Sequence, residues 1–210
     1  MSRYLRYAGI AASAVLIVFG IASIVIGASG RNTVRNNLAA EQIVGSPDMT
    51  PKAIKAEATA AGLKNVDLPT CSVAGKAVNN GTNARCFAQY MRIHALEATG
   101  GQVYAEMGQY LDAAGKPTSD KTAAAIDPAT KTPVPNAARN VWVNETALST
   151  ALNTSYFAEN VALFSVVMGV ALLLTGIGFL VVALNLLRPE GRKQEETVSG
   201  KPAGSPALAS

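Results

Sequence analysis

The chain has 210 residues, 49% hydrophobic but only 6% aromatic and 15% charged, with 18 Lys and Arg against 14 Asp and Glu. Charge this far below the usual quarter of residues argues against disorder and for apolar surface gathered in blocks. One His and two Cys exclude most metal sites and most nucleophile–base pairs before any motif is sought.

The N-terminal residues 1–6 are short and basic. Residues 7–29 (YAGIAASAVLIVFGIASIVIGAS) follow without a charge, and a helix needs about 20 such residues to cross ~30 Å of hydrocarbon. The competing reading is a signal peptide cleaved near Ala28, against which stands an apolar run longer than such peptides carry. Residues 161–187 give a second uncharged stretch of 27 residues. Orientation follows from Lys and Arg beside the membrane ends. Arg3 and Arg6 balance Arg31 and Arg35 around the first span, but Arg188, Arg192 and Lys193 follow the second, with only Arg139 in the 20 or so residues before it. Both termini are therefore expected in the cytoplasm and residues 30–160 outside.

Cys71 and Cys86 both fall in that outer segment. Disulfides belong to oxidising compartments, and a bridge here closes a loop of about 15 residues, worth ~3 kcal/mol in the chain-entropy model. Two unpaired thiols are the alternative. The basic excess lies at the expected cytoplasmic ends, since residues 30–160 hold 12 Lys and Arg against 11 Asp and Glu. It suits topology and anionic lipid and excludes a nucleic-acid role.

The outer segment is lean, with 30 large apolar or aromatic residues among 131 (29–159), so a bridge and helices continuing out of the spans are expected to support it. Residues 31–44 and 139–160 lack Gly and Pro, and the second span is expected to belong to one helix of more than 40 residues, the competing reading being a break near Asn153. Thr50, Pro51 and Gly62 mark a helix over 51–61. Asn80-Gly81 signals a tight turn. A helix follows over 84–99, with Phe87, Met91, His94 and Ala98 on one face and Gly100-Gly101 as its stop. Val103, Tyr104, Met107 and Leu111 extend helical spacing over 102–111. Residues 112–136, with four Pro, read as an exposed loop, and residues 188–210 as a disordered cytoplasmic tail.

No catalytic residue, cofactor or metal ligand is expected. His94 has Glu97 at i+3 to orient it, yet its face makes it a packed helix residue first. A bridge removes the thiolate that a cysteine nucleophile needs. Asp112, Asp120 and Asp127 match no calcium-loop spacing. The spans hold no ionisable residue, which argues against transport. Gly9 with Ser13, and Ser165 with Gly169, permit close helix approach.

HALEATGGQVYAEM (94–107) and NTSYFAENVALFSVVMGVALLLTGIGF (153–179) resemble small actinobacterial two-span membrane proteins often automatically named aromatic ring-opening dioxygenase. The resemblance spans roughly 84–111 and 140–187, implies no site residue, and its enzymatic name requires at least two His where this chain has one. The expectation is therefore a mostly α protein, two transmembrane helices flanking a small disulfide-stapled extracytoplasmic domain. Its expected role is that of an interaction or accessory protein of the cell envelope, with membrane lipid and a protein partner or second copy around it. The input half of an envelope sensor is the alternative, weakened by a tail too short for an output domain, and an enzyme comes third.

Overall fold

The computed structural model describes residues 2–185. The expected tail 188–210, the basic residues Arg188, Arg192 and Lys193, and the last two residues of the second apolar stretch lie outside the described residues. Among those described, the chain is mostly helical: α1 (Ser2–Ala40), α2 (Pro51–Ala60), α3 (Gly81–Ala98), β1 (Tyr110–Leu111), β2 (Pro117–Thr118) and α4 (Ala138–Asn185). Both α1 and α4 are long and apolar enough to cross a membrane. At ~1.5 Å per residue they measure about 58 and 72 Å. The chain divides into two compact units, one built from residues up to 24 and from 168 onward, the other from Val25–Val167.

In the first unit the two helices meet through small residues. A methyl group on Gly20 would stand 2.8 Å from the Gly169 carbonyl oxygen, and one on Gly169 2.7 Å from that of Gly20, so only glycine permits this approach. Ser13 is fully buried and donates back to the Gly9 carbonyl at 2.7 Å, which satisfies its hydroxyl within the helix. Gly9 and Gly169 thus fall at real contacts, while Gly20 carries no such signal in its own spacing. Large apolar side chains on the outer faces stay uncovered by protein: Phe19 is 63% exposed and Leu174 64%.

In the second unit, α2 begins where Thr50 accepts a hydrogen bond from the Ala53 amide at 3.2 Å, with Pro51 behind it at the first helical position. Its inward residues Ile54 and Ala58 pack with Met49, Val73, Cys86, Tyr90 and Ile93 into the principal core. A second cluster joins Leu38 of α1, Val78, Ala84 and Ala88, and Leu152 of α4. The third gathers Ala95, Leu96, Met107 and Trp142. Helix α4 shows no break at Asn153, whose side-chain amide donates to the Ser149 carbonyl at 2.8 Å.

Three local expectations are corrected. Asn80-Gly81 is no hairpin turn: the Asn80 side chain accepts from the Asn83 amide at 2.9 Å and caps α3, which starts at Gly81. Residues 102–111 are not helical. Gly100 and Gly101 adopt φ of +64° and +81° and end α3, and β1 pairs antiparallel with β2, Tyr110 opposite Thr118. Residues 112–136 form no featureless loop, because Leu111 donates to Val134 and Ala125 to Leu111 at 3.0 and 2.8 Å. Asp112, Asp120 and Asp127 each fold the backbone around their own carboxylate, accepting from amides two to four residues on. Asn136 then links this segment to α4, donating to the Gly108 carbonyl at 2.9 Å and accepting from the Ala138 amide at 3.1 Å.

Candidate functional site

Cys71 and Cys86 form the expected bridge, with Cα atoms 6.1 Å apart. Cys86 lies in the first turns of α3 and Cys71 in the irregular segment that precedes it. The same junction is tied by Tyr90, fully buried, whose hydroxyl donates to the Cys71 carbonyl at 2.6 Å. Burial pushes the Tyr90 phenol above its ordinary pKa.

Glu159 on α4 is, with Glu145, one of two buried carboxylates of the second unit. Its Oε2 accepts from the Gly81 amide at 2.6 Å, at the start of α3, while Oε1 accepts from Arg31 and Arg35 of α1 at 3.0 and 2.7 Å. Gly81 has no side chain to separate the two helices: a methyl there would meet the Tyr156 Cα at 2.7 Å. Burial works to raise the Glu159 pKa, but the Gly81 amide and the two guanidinium groups outweigh it and hold the carboxyl below its usual range. The arrangement joins α1, α3 and α4 at one point.

A shallow depression of about 350 Å³ runs between α3 and α4, lined by Asp67, Gln89, Arg92, Glu145, Ser149 and Asn153 among others. Two of its charges, Arg92 and Glu145, are matched to each other. Arg92 lies 3.9 Å over the Trp142 ring and 3.3 Å from Glu145, and Glu145 also accepts from Ser149 at 2.8 Å. Among the described residues no histidine or cysteine lines this depression.

The sole imidazole sits elsewhere. His94 projects from α3 toward Asp48, in the turn before the Thr50 cap, and Glu57, on α2. Its Nε2 stands 3.3 Å from Asp48 Oδ2 and 3.5 Å from Glu57 Oε1. Glu97, at i+3 from His94, shares a hydrogen bond with Glu57. That bond, then burial and the charges of Glu97 and Asp48, push the Glu57 pKa up to about 7. The Ser46 side chain holds Asp48 below the usual carboxylate range, with burial opposing and its own backbone amide and His94 assisting. Nε2 itself reaches no solvent and makes no hydrogen bond. Among the described residues, Asp48, Glu57 and His94 are the group of donors whose atoms all fall within 4.8 Å of one another. Sequence reasoning missed it because residues 48, 57 and 94 follow no helical or metal-ligand spacing; only the packing of α2 on α3 brings them together.

The three aspartates at 112, 120 and 127 are not brought together, each being engaged in its own turn. No family model, curated protein or solved structure matches the chain.

Proposed function

We propose that the protein is a two-pass membrane protein with both termini in the cytoplasm and residues 30–160 outside, acting as an interaction or accessory protein of the cell envelope and not as an enzyme. The observation that carries this reading is the apolar surface that α1 and α4 leave uncovered, Phe19 and Leu174 both being more than three-fifths exposed. In water, exposed apolar area on this scale is unfavourable at ~25 cal/mol per Å², whereas in hydrocarbon it is the normal surface of a span. The bridge between Cys71 and Cys86 supports an oxidising compartment for the second unit. The cluster of Arg188, Arg192 and Lys193 after the second stretch supports the orientation. The resemblance to two-span actinobacterial proteins agrees with this architecture, and its dioxygenase name does not fit a chain with one His.

The input half of an envelope sensor is the second reading. What favours it is the uninterrupted course of α1 and α4, which extend from the apolar stretches to Ala40 and Ala138. Purification of the full chain in mild detergent after crosslinking in cells separates the readings. A stoichiometric envelope protein or a second copy is expected. A kinase-like partner would move the assignment to sensing, and an uncrosslinked monomer would contradict the accessory role.

A further inference from the structure

From the juxtaposition of Asp48, Glu57 and His94 we infer that the second unit holds a divalent transition-metal site, of the zinc class, between the turn before α2, α2 itself and α3. This goes beyond the accessory role and does not rest on it. The donors come from three separate chain positions held in place by the principal core: Met49 beside Asp48, Ile54 and Ala58 flanking Glu57, and Ile93 beside His94 are all buried in or near it.

A tetrahedral zinc ion with bonds of about 2.0–2.1 Å sets its ligand atoms about 3.3–3.4 Å apart. His94 Nε2 lies 3.3 Å from Asp48 Oδ2 and 3.5 Å from Glu57 Oε1, so both nitrogen–oxygen edges already have that length. The two carboxylate oxygens stand within 4.8 Å of each other, and Asp48, with 46% of its side chain exposed, has the freedom to close the third edge. Its exposure also provides the entry path. Nε2 reaches no solvent and has no hydrogen-bond partner despite facing two carboxylates. A buried ring nitrogen without a hydrogen bond calls for an explanation, and a metal bond to its lone pair supplies one in place of the ion pairs a protonated ring would make with Asp48 and Glu57.

The donor chemistry narrows the ion. Calcium takes six to eight oxygens and magnesium keeps an octahedron of oxygens and water, neither of which uses an imidazole. One nitrogen with two carboxylates suits zinc, leaving the fourth position to water. The set reverses the two-His, one-carboxylate pattern of non-haem iron oxygenases, so it lends the dioxygenase name no support.

The test uses the full chain in detergent, stripped with a chelator and titrated with Zn²⁺ by calorimetry, with Mg²⁺ and Ca²⁺ as comparison ions. One Zn²⁺ per chain is expected, with His94→Asn and Glu57→Gln each weakening binding at least tenfold and Asp127→Asn leaving it unchanged. Peptide mapping of the Cys71–Cys86 bridge and the thermal transition of the metal-free variants show that each has folded. Absorption spectroscopy at the zinc edge should find one imidazole among the ligands. The inference is overturned by no saturable Zn²⁺ binding, by binding that both folded variants retain, or by equal preference for Ca²⁺.

Discussion

Residues of the same chemical class meet opposite fates in the two units. In the second, Ile54, Val73 and Tyr90 are wholly covered by protein; in the first, Phe19 and Leu174 remain mostly uncovered. In the first unit the helices meet where Gly9, Gly20, Gly169 and Gly176 let them approach, and large apolar side chains on their outer faces stay exposed. The second has few large apolar residues and gathers them in three clusters around α3, adding a covalent bridge and two buried carboxylates to complete the structure. Burial thus separates a surface suited to hydrocarbon from a core made in water.

The contrast is sharpest at Ile54. Ile54→Ala removes a fully buried side chain and should destabilise the second unit by about 2–5 kcal/mol, read by denaturant unfolding in detergent. Cys71→Ser follows, at about 2–4 kcal/mol, because it releases a loop with a separation of 15 residues; an unchanged midpoint would make the bridge incidental. Glu159→Gln should lower stability by about 1–2 kcal/mol, since hydrogen bonds to a charged group are lost while both arginines keep access to solvent. It also has a pH signature. The Glu159 pKa is lower in the folded protein than its ordinary value of 4.5, so its contribution is complete above that value and is lost as pH falls through the folded pKa. The acid-induced loss of stability measured below pH 4.5 should therefore be smaller in Glu159→Gln. Phe19→Ala sets the lower end. With its side chain mostly outside protein contact, it should shift unfolding of the second unit by no more than about 0.5 kcal/mol, and a loss like that of Ile54→Ala would break the comparison.

The elements whose signals are local were legible in the sequence. The Thr50-Pro51 start and Gly62 stop frame α2 almost to the residue, and the absence of Gly and Pro over 139–160 announced the long α4. Asn80-Gly81 misled because the same short side chain that favours a tight turn also caps a helix; what decided it was Glu159, 78 residues away, accepting from the Gly81 amide. Residues 102–111 show helical spacing, but Gly100 and Gly101 end α3 and pairing with Pro117 and Thr118 takes over. Of the candidate site, the sequence exposed only the lone imidazole. Its carboxylate neighbours depend on the packing angle of α2 against α3, which no spacing within one chain encodes.

The central claim is that α1 and α4 place residues 30–160 across a membrane from both termini. Reporter fusions at Gly115 and Ser210, with one enzyme active only outside the cytoplasm and one active only within it, test it most directly. The account predicts an external signal at Gly115 and a cytoplasmic signal at Ser210; an external signal at Ser210, or a cytoplasmic one at Gly115, would contradict it.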